Sequence, residues 1–280
     1  MTQSTDTPRI GLALGAGGAR GLAHIPVLEA FDELGLRPCA IAGSSMGAVV
    51  GAAYAAGMSG RELRAHVLSV FRNRADVTAR LLQARIGRFR HMLTALGSNP
   101  VLLDGEILLD LFWPSDVPDH FEDLLCPFFT VATDFDRRCE MVFSTGPLAP
   151  AVAASMAIPG LLQPVEAQGA FLIDGSAVNP LPYRVLENHC DRIVACDVAR
   201  GPAMVSQKMP TPFEAMFGAA QIMQSTLTAQ MLSVKAPDIL LRPSVDQFRA
   251  LDFFRARDIL ESADQIKDEV KRSLDSFILL

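Results

Sequence analysis

The chain has 280 residues, half of them apolar, and a formal net charge of −6 at pH 7. That is enough apolar material for a sizeable globular core, whether one large α/β domain or two small ones. The acidic balance leaves no strongly basic domain to neutralise phosphates, which argues against a nucleic-acid partner. Cys39, Cys126, Cys139, Cys190 and Cys196 form no C-x-x-C pair. Their odd count and apolar surroundings predict reduced, mostly buried thiols in a cytoplasmic protein and no zinc site.

Residues 1–8 have no basic stretch leading into an apolar one, so they read as a disordered tail rather than a signal peptide. Residues 10–14 are a short apolar strand that enters a glycine-rich turn, Gly15-Ala16-Gly17-Gly18-Ala19-Arg20-Gly21. Over 22–34 the apolar positions Ile25, Leu28 and Phe31 follow helical spacing, and Gly35 closes the helix. A second strand over 39–42 runs into Gly43-x-Ser45-x-Gly47 and then an alanine-rich helix over 46–56. Strand, tight turn and helix form the context of a nucleophile elbow. Ser59 with Glu62 has the spacing of a capping box opening a helix to about residue 71. This alternation predicts a mostly parallel sheet with helices on both faces. Further strands are expected at 128–133, 141–143, 171–173, 193–197 and 239–241, and helices at 148–156, 213–231 and 256–277. With no repeat or linker in view, residues 1–280 are read as one domain. The uncharged stretches 38–60 and 141–164 are long enough to span a bilayer. The first is rich in Gly, Ala and Ser and the second is broken by Pro147, Pro150 and Pro159, so both read as core.

One segment reverses the charge of its surroundings. Residues 72–91 carry Arg72, Arg74, Arg80, Arg85, Arg88 and Arg90 against Asp76, interleaved with Val77, Leu81, Leu82, Ile86 and Phe89. Two readings stand side by side: a solvated helix face, or an amphipathic stretch that meets an anionic membrane surface. The stretch 72–100 is accordingly a candidate lid or membrane-contact segment.

A serine hydroxyl is a weak nucleophile and must stand on a sharp turn within reach of a base. Gly43 and Gly47 permit that turn, and the helix after Ser45 aims its N-terminal N–H groups at the reacting centre. The glycine loop 15–21 lacks the third glycine of a dinucleotide fingerprint, where Arg20 stands, and lacks the Gly-Lys-Ser/Thr of a P-loop. What remains is an oxyanion hole built from the N–H groups around Gly17 and Gly18, beside the plainer reading of a turn that packs a helix. Leu172-Ile173-Asp174-Gly175-Ser176 ends an apolar strand in an aspartate, expected at the carboxyl edge of a parallel sheet, where ligands gather.

Together GAGGARG, GSSMG, ASMAIPGLLQPV at 154–165 and IDGSAVNPLP resemble the patatin-like phospholipases, including small bacterial members and the catalytic domain of neuropathy target esterase. The resemblance is strong over about residues 9 to 200. It implies an α/β three-layer sandwich and a Ser-Asp dyad, with Ser45 as nucleophile and Asp174 as base. It further implies an oxyanion hole from Gly15, Gly17, Gly18 and Ala19, supported by Arg20, Gly43, Gly47 and Gly175. Ser176 departs from the Gly or Ala usual there, and its hydroxyl bears on the hydrogen bonding of Asp174. The implied substrates are phospholipids, lysophospholipids or fatty-acid esters, with no metal or organic cofactor and with peripheral membrane contact as a further expectation.

A Ser-His-Asp triad is the rival arrangement. His24 on the first helix reads as a packed residue, and His66, His91, His120 and His189 do not follow a late core strand as that order demands. Asp134 and Asp197 also end apolar strands and stay in reserve as bases. An acyltransferase using the same serine, and a silent lipid-binding module, remain as other functions.

Overall fold

The computed structural model describes residues 8–72, 113–199 and 209–278, together with Val77, Gly105 and Leu109. The expected tail 1–8, Pro8 apart, and the basic segment 72–100, Arg72 and Val77 apart, lie outside the described residues.

A mixed sheet with helices on both sides organises the chain. Its strands are β1 (Ile10–Leu14), β2 (Ala40–Ser44), β3 (Phe128–Asp134), β4 (Cys139–Phe143), β5 (Val165–Ala167), β6 (Ala170–Asp174), β7 (Arg192–Cys196) and β8 (Ile239–Leu241). Their order is β5-β6-β3-β2-β1-β7-β8, with β4 also on β3. The run from β3 through β2, β1 and β7 to β8 is parallel, as the strand–helix alternation predicts. The remaining pairs, β3–β4, β3–β6 and β5–β6, are antiparallel and lie at one side of this mostly parallel sheet. β5 and β6 form a hairpin over Gln168 and Gly169, whose φ values of 52° and 72° suit a primed two-residue turn.

The period of two along each central strand sorts side chains between two cores. Ile10, Leu12, Leu14, Ile41, Val194 and Cys196 point into the larger one, and Ala13, Ala40, Ala42, Ile193 and Ala195 into the smaller. The larger core is covered by α1 (His24–Glu33), α2 (Met46–Ala55) and α4 (Leu148–Ser155), backed by α3 (Gly60–Val70), α6 (Ala256–Ala263) and α7 (Ile266–Ile278). Small strand residues on the other face let the turn Tyr183–Leu186 and the end of α5 (Pro212–Val234) approach closely. The helix expected over 256–277 is two helices, breaking at Asp264, whose carboxylate meets Arg64 of α3. Arg64 also forks onto Glu29 of α1 at 2.6 and 2.8 Å, which neutralises a buried carboxylate and ties the outer helices together. The capping box expected at Ser59 and Glu62 is present. Of the five cysteines, all free, Cys196 is buried, Cys139 is exposed and the other three are half-buried, so the thiols are less buried than expected. Among the described residues no helix is long and apolar enough to cross a membrane.

The register places the ends of two strands together. β3 pairs with β4 through Thr130–Asp134, so β2 and β6 must share the opposite edge of β3. β2 reaches that edge at Ser44, opposite Val131, while β6 arrives from the other direction and stops at Asp174, opposite Ala132. Parallel and antiparallel strands thus meet head-on, which sets Ser45 beside Asp174.

Candidate active site

Ser45 joins β2 to α2 with φ 55° and ψ −123°, a conformation that costs a non-glycine residue about 1–3 kcal/mol. Surrounding contacts hold it there. Its N–H donates to Ser155 Oγ at 2.9 Å, and its carbonyl accepts from the N–H groups of Ala48 and Val49. Gly47 must lack a side chain, because a Cβ would collide with the carbonyl oxygen of Leu14. Gly43 likewise gives α2 room to pass, with Ala48 Cα only 2.6 Å from where a Cβ would sit.

Ser45 Oγ donates to Asp174 Oδ2 at 2.8 Å, and both residues are buried, at 4% and 3% exposure. Asp174 Oδ1 accepts from the Ser176 N–H at 2.8 Å. The main chain of Asp174 is pinned on both sides: its N–H donates to the Ala157 carbonyl, and Thr133 Oγ1 donates to its carbonyl at 2.8 Å. Gly175 packs so tightly on β3 that a Cβ would collide with the Val131 carbonyl. Burial pushes the Asp174 carboxyl above the usual carboxylate range, and hydrogen bonds from Ser176 and Ser45 draw it part of the way back. Gln224 on α5 donates to Ser176 Oγ at 2.5 Å, which leaves the Ser176 hydroxyl proton free to face the carboxylate.

The glycine loop lies alongside, and its N–H groups are unequally committed. Gly15 donates to the Cys196 carbonyl at 3.0 Å, Ala16 to Pro180 at 2.8 Å and Ala19 to Ala250 at 2.7 Å. Gly15 and Ala19, two of the four expected oxyanion donors, are therefore already used by the fold. Gly17 and Gly18 hold the N–H groups left over, and Gly18 (φ +57°) is pressed against the Ala250 carbonyl where no Cβ would fit. Arg20 is buried on the same loop, its Nε donating to the Gly17 carbonyl at 3.4 Å. Burial lowers its pKa, while Asp246 and Asp197 act to raise it. A largely apolar cavity of about 390 Å³ collects these groups, with Ser45 and Asp174, Gly17 and Gly18, and Met216 and Leu227 of α5 among its walls.

Residues 12–186 match the sequence profile of the family described as Patatin-like phospholipase. The chain belongs to the patatin-like phospholipase family. An uncharacterized NTE family protein of Mycobacterium tuberculosis is 41% identical over 180 residues, covering 64% of this chain and 46% of the relative. Neuropathy target esterase sws of Drosophila melanogaster is 32% identical over 199 residues, covering 68% of this chain and 13% of the relative. The chain thus spans less than half the length of these curated relatives. Among solved structures, VipD from Legionella pneumophila superposes with a TM-score of 0.46 at 14% identity, covering 94% of this chain and 67% of that one.

In this patatin-like chain the rival bases stand elsewhere. His24 is fully buried, and its Nε2 lies 2.8 Å from the Gly15 carbonyl while Nδ1 has no partner. Burial pushes its pKa down to about 4, so it is a neutral imidazole donating through Nε2–H and steadying the glycine loop. Asp134 is tied to Arg137 at 3.0 Å and Asp197 to the Ala199 N–H at 3.0 Å, and neither contacts Ser45. His66, His120 and His189 do not line the cavity, and His91 lies outside the described residues. Sequence reading missed three supporting residues: Ser155, which holds the Ser45 N–H; Thr133, which holds the Asp174 carbonyl; and Gln224, which reaches Ser176. Ser155 falls inside the segment 154–165 that carries the family resemblance, the single signal pointing to any of them. Among the described residues no group of three or more His, Cys, Asp or Glu side chains could hold a metal ion.

Proposed function

We propose that this patatin-like chain is a serine acyl hydrolase of lipid carboxylic esters, phospholipids or lysophospholipids, working through an acyl-Ser45 intermediate. The observation that carries the reading is the 2.8 Å hydrogen bond from Ser45 Oγ to a buried Asp174 at the base of an apolar cavity. Desolvation raises the basicity of that carboxylate, and the strained elbow keeps the hydroxyl aimed at it. As Oγ attacks the ester carbonyl carbon, its proton passes to Asp174. The tetrahedral oxyanion accepts hydrogen bonds from the Gly17 and Gly18 N–H groups, each such donor contributing about 10²–10³ in rate. The intermediate collapses, the alcohol leaves with the proton from Asp174, and the acyl group stays on Ser45. Water gives a proton to Asp174 and attacks the acyl carbonyl, the fatty acid leaves, and Oγ takes the proton back. Apolar walls such as Met216 and Leu227 suit an acyl chain. The word esterase in the name of the Drosophila relative agrees with ester hydrolysis.

The test is fatty-acid release from p-nitrophenyl esters, phosphatidylcholine and lysophosphatidylcholine in EDTA. Activity is expected in the wild type and in a residual form in His24→Ala, and is lost in Ser45→Ala and Asp174→Asn. Loss in His24→Ala with retention in Asp174→Asn would replace the dyad with a triad.

A further inference from the structure

α5 is 23 residues long and carries a single charged residue, Glu214 in its first turn. A helix this apolar normally lies inside a core. Here it is largely open: Met216 is 53% exposed, Ile222 69% and Met223 67%. Met216 and Met223 also line the cavity that holds Ser45 and Asp174. The apolar surface of the helix is therefore continuous with the interior of the site, where its polar contributions are the uncharged Gln221 and Gln224, so an acyl chain leaving a bilayer at this face would reach Ser45 without passing a charged side chain of the helix. Polar residues on the outer row, such as Thr226, are uncharged.

We infer that the outer face of α5 docks on a zwitterionic lipid surface and delivers the ester directly into the cavity, an inference that rests on the lipid-hydrolase reading and locates its substrate. Charge selects the occupant. No Lys or Arg lies between Met209 and Val234, and the exposed Arg249 at the start of the helix is set against Glu214, so the helix offers an anionic surface no row of cations. Attraction comes from apolar side chains entering the headgroup boundary, where binding scales with the apolar area buried. The contact is accordingly insensitive to salt, in contrast to a contact made by an arginine-rich segment.

The experiment is sedimentation with phosphatidylcholine vesicles, using Ser45→Ala so that no lipid is consumed, at low and high salt. The comparison is the same protein with Ile222→Glu and Thr226→Glu, one turn apart on the exposed face and absent from the cavity walls. The parent is expected to partition equally at both salt levels, and the charged pair to bind at least about tenfold more weakly. In the Ser45-containing background the same pair should hydrolyse a soluble short-chain p-nitrophenyl ester as the wild type does. Four results would overturn the inference: no sedimentation, binding that needs anionic lipid and disappears in salt, equal binding by the charged pair, or a dimer of the parent that the charged pair dissociates. If the soluble ester is not hydrolysed by the wild type, the hydrolase reading fails while the vesicle result still decides the docking face.

Discussion

Replacing Asp174 with asparagine separates the two consequences of burying a carboxylate. The Ser176 N–H at 2.8 Å requires an acceptor at Oδ1, so the amide oxygen takes that place and the amide nitrogen faces Ser45 Oγ. The Ser45 hydroxyl then accepts where it had donated. The Ser176 N–H keeps its acceptor, the Ser45 hydroxyl proton loses its own and turns to the cavity, and with the base gone kcat/KM should fall about 10²–10⁴-fold. Stability moves the other way. The folded pKa of Asp174 is raised by burial, so the native state binds the proton more tightly than the unfolded chain. Wild-type stability therefore declines as pH rises from the unfolded carboxylate value to the folded one, by about 1.4 kcal/mol for each unit between them. Asp174→Asn escapes that decline. Its melting temperature should match the wild type near pH 4 and exceed it at pH 8, with about 2–4 °C for each kcal/mol in a protein of this size. Calorimetry of both proteins from pH 4 to 8 reads the difference, in which contributions common to both cancel. Because an amide before Gly175 is prone to deamidation, mass spectrometry should confirm that it survives the measurement. A difference independent of pH, or one that grows on acidification, would refute the reasoning, as would an active variant.

Three further outcomes are expected. His24 has a folded pKa pushed down from 6.5 to about 4 by burial, so the stability it contributes is complete above pH 6.5 and falls by about 3 kcal/mol as pH drops to 4. His24→Ala should melt lower and lose that acid-side decline, while the acid limb of the pH–rate profile stays in place. In Ser176→Ala a donor to Asp174 disappears, so that limb should move to higher pH with the elbow intact; an unmoved limb would mean that the hydroxyl does not act on the carboxylate. Gly47→Ala forces a methyl against the Leu14 carbonyl and should cost at least about 1–3 kcal/mol in urea unfolding, with activity falling in step.

What could be read from the sequence was local. The elbow around Ser45 was legible because strand, Gly-x-Ser-x-Gly and helix follow one another within a dozen residues, and the Ser59 cap because its partner is three residues away. Strand direction was not. β6 reads like any apolar strand ending in Asp, and its antiparallel sense depends on pairing with β3, some forty residues earlier. The division of labour within the glycine loop was equally hidden, because the carbonyls that take the Gly15 and Ala19 N–H groups belong to Cys196 and Ala250, remote in sequence. Gln224 carries no motif at all. It matters only because α5 lies across the mouth of a cavity formed by elements far from it in the chain.

The central claim is a covalent acyl group on Ser45. Acid-quenching the protein during turnover of a p-nitrophenyl ester, followed by intact mass measurement and peptide mapping, tests it most directly. The account predicts one acyl mass on the peptide that contains Ser45, absent in Ser45→Ala and strongly reduced in Asp174→Asn. An acyl group mapped to any other residue, or turnover undiminished in Ser45→Ala, would contradict it.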